Sequence, residues 1–200
     1  MKHIHYSCQG DSHIIANKVC QDASFSDVSD SMAIAIVCDG HGGERYFRSD
    51  IGAQKAIEAT KECVSSFIRE VDESLFIGKG FTQKQAITSE AKTNILTKDT
   101  ETDKALRQLF SSIIYRWREK IVQHSTESPL TEEEKNKIPL QHQDDFTRNI
   151  GIEKTYGCTL MCYVATKSYW FAFHIGDGKC IAYDIDGNWY EPIPWDDRCF

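Results

Sequence analysis

The chain has 200 residues, a formal net charge of −7 and 26% charged residues. That length suits one domain with a sizeable core, and the acidic balance speaks against a nucleic-acid partner. No apolar stretch approaches a membrane span, and no apolar run follows Met1-Lys2-His3-Ile4-His5 as a secretory signal would require.

The pattern predicts a first strand around His3–Cys8, then a turn at Gly10-Asp11. Gln21-Asp22 follows, just ahead of Phe25, and Asp22 taken alone reads as a solvated loop carboxylate. Ser26–Ser31 reads as a polar turn. Met32–Cys38 is an unbroken apolar run, the pattern of a strand buried on both faces. It stops on Asp39, followed by Gly40-His41-Gly42-Gly43. A carboxylate where such a strand ends, next to residues too small to cover it, stands at the rim of a rigid sheet. Asp39 can offer oxygens to a hard divalent cation, and the Gly40 carbonyl can approach an ion closely. His41 can exchange a proton near neutral pH. The plain alternative is a hairpin turn, since Asp-Gly is a favoured turn pair and recurs at Asp177-Gly178 and Asp186-Gly187. Helix rather than strand is predicted next, which argues against a hairpin.

From Glu44 to about Val71, apolar residues recur at offsets of three and four, predicting an amphipathic helix against the sheet. Its N-terminus would favour anions. Arg45 and Arg48 fall in its first turns, either to meet phosphate or as solvated surface residues. Thr82–Thr102 is polar and predicts no definite element. Asp103–His124 carries Leu106, Leu109, Phe110, Ile113, Ile114, Trp117 and Ile121 on one side, a core-facing helix. Thr131-x-x-Glu134 is a capping-box pattern opening a short helix. Leu140–Lys154 reads as an exposed loop. Gly157–Ala165, Ser168–Ile175, Lys179–Ile185 and Trp189–Ile193 read as successive strands. The aromatic residues of the second occupy both faces, so His174 reads as a satisfied core histidine, or one standing behind the ligands, rather than as a ligand itself. Asp186-Gly187 reads as a plain turn, and Asp177 has the same local appearance.

Eight cysteines are present. Several lie inside apolar runs, where Cys acts as a small hydrophobe. Cys158 and Cys162 share a face but have no second pair to complete a zinc site. With no secretory signal, disulfides are not expected, and a cytoplasmic location is.

In their order, Gln21-Asp22, Asp39-Gly40-His41-Gly42-Gly43, Tyr156-Gly157-Cys158-Thr159-Leu160 and Gly176-Asp177-Gly178 resemble the metal-dependent serine/threonine protein phosphatases of type 2C, the PPM family. The N-terminal form around Ser12-His13 and Val19–Ala23 is most similar to a bacterial branch. The resemblance implies an α+β fold, a β-sandwich flanked by α-helices, which agrees with the alternating pattern. It implies two Mg or Mn ions bridged by Asp39, with the Gly40 carbonyl on one of them. Asp22 would hold bound waters or a metal, and Asp177 a more weakly held third ion. His41 matches the family's proposed general acid. The paired ions would activate a bridging water for in-line attack on phosphoserine or phosphothreonine in a protein substrate.

Two departures accompany the resemblance. Asn17 stands where the family often has a phosphate-binding arginine, leaving His13, Lys18 and Arg45 as candidates. The family's two later aspartate segments lie beyond Phe200. Residues 1–200 are therefore expected to be the N-terminal portion of a single phosphatase-like domain, impaired as given, with an exposed sheet edge open to self-association. The competing readings are a non-catalytic binding module of the same fold, and a metallohydrolase of small phosphate esters.

Overall fold

The computed structural model describes residues 2–15, 17–78, 100–183 and 185–193. The predicted polar stretch Thr82–Thr102 lies almost wholly outside them. The described residues form an α+β fold: a four-stranded antiparallel sheet with helices packed on one face. Strands β1 (Ala23–Val28), β2 (Met32–Cys38), β3 (Leu160–Thr166) and β4 (Trp170–Ile175) lie side by side in that order. Each pairs antiparallel with the next, Phe25 opposite Ile36, Ile36 opposite Cys162, and Cys162 opposite Phe173. A separate two-stranded ribbon joins β5 (Ala182–Tyr183) to β6 (Trp189–Tyr190). Asp186-Gly187 is the turn between them, with Gly187 at φ 85°.

The apolar run of β2 is buried on one face only, which corrects the two-faced expectation. Ile34, Ile36 and Cys38 point into the core, while Val37 is 50% exposed. The reason is antiparallel pairing with helices on a single side, so side chains alternate between covered and open. The core joins these residues to Leu160, Cys162, Val164 and Phe171 of the sheet. Against them pack Ala53, Ala56, Ile57 and Val64 of α2 (Ser49–Glu70) and Leu109 and Ile113 of α3 (Glu101–Glu127).

The helix predicted from Glu44 is two pieces. A single 3-10 turn, Glu44–Tyr46, precedes α2, and the chain kinks at Arg48 with φ −123°. Arg48 is buried, and its N–H donates to the Thr155 carbonyl at 3.0 Å instead of continuing a helix. Helix α3 opens on a reciprocal capping box between Thr100 and Asp103. Helix α4 (Glu132–Asn136) carries the capping box read from Thr131 and Glu134.

Two expectations fail on local chemistry. His3–Cys8 makes no strand. It lies beside β1 through side chains, with His3 Nδ1 and His5 Nδ1 each 3.1 Å from Ser26 Oγ and Ser7 Oγ 2.9 Å from Ser24 Oγ. The turn expected at Gly10-Asp11 opens the short helix α1 (Asp11–Ile15). The loop expected over Leu140–Lys154 contains α5 (Leu140–Thr147), and a 3-10 helix, Ile152–Tyr156, follows. Ile152 and Tyr156 are fully buried with Ile121 in a second, smaller core. Its apolar residues are too widely spaced to register as a periodic stripe.

Helix α2 and the Ile152–Tyr156 turn touch at Gly52. A β-carbon there would fall 1.8 Å from the Tyr156 carbonyl oxygen, so any larger residue must push the two apart. The Gly52 carbonyl also accepts from Trp117 Nε1 of α3 at 3.0 Å. Among the described residues no helix is long and apolar enough to cross a membrane.

Candidate active site

The C-terminal end of β2 delivers Asp39 to the sheet rim. Thr159 grips its backbone from both sides, since the Thr159 N–H donates to the Asp39 carbonyl at 2.7 Å and the Asp39 N–H donates to Thr159 Oγ1 at 2.9 Å. A bridge between Gly40 and Cys158 continues the pairing past the end of the strands. Gly40 has no room for a side chain. A β-carbon would lie 2.5 Å from the Gln21 carbonyl oxygen and 3.0 Å from that of Ser49.

Asp39 opens onto a cleft of about 290 Å³ that Asp22 and Asp177 also line. The floor is a row across all four strands on the sheet's outer face: Ser24 opposite Val37, Val37 opposite Met161, Met161 opposite His174. Tyr6, Ser7 and Cys8 make one wall. Asp177 sits on the bend after β4, beyond Gly176 at φ 114°, where an L-residue would be strained and its β-carbon would strike Thr159 at 2.6 Å. His174 therefore faces the cleft from the outer side of the sheet and is not a core histidine.

Carboxylates from positions 22, 39 and 177 thus share one opening, and their charges are felt. The Asp39 carboxyl is pushed above the usual carboxylate range, first by burial and then by the Asp22 charge. A hydrogen bond with Asp22 and the charge of Asp177 push the same way, and only His41 opposes them. Crowded like charges are the condition a bound cation relieves. An all-oxygen donor set of this kind fits a hard ion such as Mg or Mn. Among the described residues no three carboxylate, His or Cys side chains are already gathered into a metal-binding group.

His41 follows Asp39 by two residues, and its ring packs edge-on to Tyr46 with centroids 4.6 Å apart. It is not among the residues lining the cleft. The same holds for the three candidates for phosphate binding. His13 lies on α1, where its N–H donates to the Gly10 carbonyl. The Lys18 carbonyl accepts from Gln9 Nε2. The Arg45 guanidinium lies over the Tyr46 ring, 4.6 Å from its centroid, and donates to the Tyr46 hydroxyl. Among the described residues no lysine or arginine lines the cleft.

A second charged cluster stands apart from the cleft. Arg48 is 4% exposed and pairs with Glu134 of α4 through Nε at 2.6 Å and Nη2 at 2.8 Å. Its Nη1 donates to the Ser128 carbonyl and the Tyr156 hydroxyl, both at 2.8 Å. The Tyr156 hydroxyl lies 2.9 Å from His124 Nδ1 of α3. Burial works against the Arg48 charge, but the hydrogen bonds to Glu134 and Tyr156 outweigh it and raise its proton affinity. Glu134 is likewise opposed by burial, and Arg48 holds its carboxyl below the ordinary value.

The cysteines next to the site are packing groups. Cys38 and Cys162 lie in the core. A hydrogen bond with Cys158 and then burial push the Cys38 thiol up, and burial alone does so for Cys162.

Sequence reasoning missed the groups that hold this geometry: Thr159, Ser49 and the side chain of Gln21. Thr159 and Gln21 stood inside the quoted motifs, but nothing in their spacing assigns them an inward role. Ser49 carried no signal, because the helix was expected from Glu44 and a lone serine within it reads as solvent-facing.

A family model described as Protein phosphatase 2C matches residues 9–198 of the chain. A search of curated proteins returned no match.

Proposed function

We propose, from the premise that this chain belongs to the protein phosphatase 2C family, that it is a single phosphatase-like domain hydrolysing phosphoserine and phosphothreonine in proteins with the help of Mg or Mn. The observation that supports this most is the convergence of Asp22, Asp39 and Asp177, far apart in sequence, on one cleft, where burial and then the Asp22 and Asp177 charges raise the proton affinity of Asp39. We assign Asp39, with Asp22 and the Gly40 carbonyl, to hold two cations, and Asp177 to a weaker third. When bound, the cations would supply an activated water and offset the phosphate charge.

The chain's own residues do the rest. Thr159 fixes the Asp39 backbone, so the carboxylate needs little reorganisation to meet an ion. His41 is assigned to donate a proton to the leaving serine or threonine oxygen. Of His13, Lys18 and Arg45, Arg45 is the best placed to meet phosphate, because its guanidinium stacks on the Tyr46 ring against which His41 packs. A phosphoprotein with cationic residues beside its phosphorylated site would suit the acidic cleft. A cytoplasmic setting fits this role.

The test is phosphate release from a phosphothreonine peptide with and without Mn, on wild type and Asp39→Asn. Mn-dependent turnover lost in the variant is the expected result. Turnover that ignores Mn, or that survives the substitution, overturns the assignment. The absence of lysine and arginine from the described cleft lining favours the second reading, a non-catalytic binding module. Calorimetry with Mn separates the two when paired with the turnover assay: binding without turnover supports the module. Faster hydrolysis of small esters than of peptides would point to a small-molecule phosphatase.

A further inference from the structure

We infer that Gln21 and Ser49 are positioning residues that lock the backbone of His41 and so aim its ring. The inference rests on the phosphatase reading only for what His41 does. Gln21 and Asp22 are consecutive but point opposite ways. Asp22 lines the cleft, while the Gln21 side chain turns inward. Its Nε2 donates to Ser49 Oγ at 2.6 Å and to the His41 carbonyl at 3.0 Å. Ser49, fully buried at the start of α2, donates its own hydroxyl to the same carbonyl at 3.0 Å. The His41 N–H donates to the Gly157 carbonyl at 3.0 Å.

Both backbone polar groups of residue 41 are thus occupied by partners from three other parts of the chain. The ring is bounded as well. Tyr46 packs against it, and a β-carbon on Gly157 would stand 2.7 Å from His41 Nδ1. Gly40 carries the register in the other direction, because it fits between the Gln21 and Ser49 carbonyls only without a side chain. One brace therefore ties residue 41 to the inward-turned Gln21 side chain and to the first turn of α2. Its contacts need groups at a fixed length: an amide with two N–H bonds to give, and a hydroxyl that both accepts and donates.

A brace for the proton donor has a signature that loss of fold lacks. A poor leaving group, the threonine alkoxide, needs the proton, and a good one, p-nitrophenolate, does not. Gln21→Met keeps the side-chain length and removes the amide. With saturating Mn, its kcat on a phosphothreonine peptide should fall about 10-fold or more, while KM and the rate on p-nitrophenyl phosphate change little. Ser49→Ala should do the same, and it carries the comparison if Gln21→Met does not fold. Equal losses on both substrates, or none on the peptide, overturn the inference. A second readout needs no activity. Amide hydrogen exchange at residues 39–43 should quicken about 10-fold in either variant with the melting transition still cooperative. Unchanged exchange there refutes the brace. If wild type shows no Mn-dependent turnover, the phosphatase reading fails, and the exchange experiment alone decides whether Gln21 and Ser49 hold this segment.

Discussion

The molecule holds two clusters of charge that follow opposite rules. Around Arg48 every group has its complement: guanidinium against carboxylate, remaining N–H bonds on carbonyls and on the Tyr156 hydroxyl. In the cleft, three carboxylates line one opening and Asp39 is held above its ordinary proton affinity. The first cluster ties α4 and the Ile152–Tyr156 turn to the start of α2. The second costs stability in the protein alone and gains meaning only when something positive arrives. Opposite charge paired inside the fold builds the frame, and like charge gathered at an opening is available for chemistry.

The contrast breaks most sharply when a member of the satisfied cluster is removed. Arg48→Met leaves the half-buried Glu134 carboxylate with the Thr131 N–H but no cation, and should cost about 3–5 kcal/mol in urea unfolding. The double change with Glu134→Leu should recover part of that loss, because the stranded charge is gone. In the cleft the sign reverses. Asp39→Asn should lower Mn-dependent turnover by more than the roughly 100-fold typical of outer-shell changes, yet leave the melting temperature equal to wild type or higher. Mn should sharpen the difference: at about 100 times its Kd it adds about 2.7 kcal/mol to wild type and little to Asp39→Asn. Gly52→Ala drives a methyl into the Tyr156 carbonyl and should destabilise by about 1–3 kcal/mol, read by denaturant titration.

The smallest effect is a pH dependence. Glu134 has a lowered carboxyl pKa in the folded chain, so its contribution is complete above the unfolded value near 4.5. It is lost as pH falls below that value and through the folded one. The stability gap between wild type and Glu134→Gln should therefore narrow on acidification below about pH 4.5. A gap that widens there would contradict the sign of the shift.

Much of this frame was readable from residue order. The apolar run into Asp39, the stripe of α3 and the capping box at Thr131 each rest on a short-range rule, and each is present. What was not readable depends on partners distant in sequence. The break before α2 comes from Thr155, more than a hundred residues away, taking the Arg48 N–H. The Ile152–Tyr156 turn is buried by α3, not by its own periodicity. The single covered face of β2 could not be told from a doubly covered one, because alanine and valine occupy the open side. In the cleft, the acidic positions were legible as motif fragments. Thr159, which seats Asp39, and Ser49, which reaches His41, were not, because their service runs through backbone atoms.

The wall formed by Tyr6, Ser7 and Cys8 differs in kind from the rest of the cleft. Among the described residues, its segment is tied to β1 through His3, His5 and Ser7, with no ladder of main-chain bonds. Substitutions there can reshape what the cleft admits without disturbing strand pairing or the core. The shape of the cleft mouth can therefore drift along a margin that the folding of the sheet does not police.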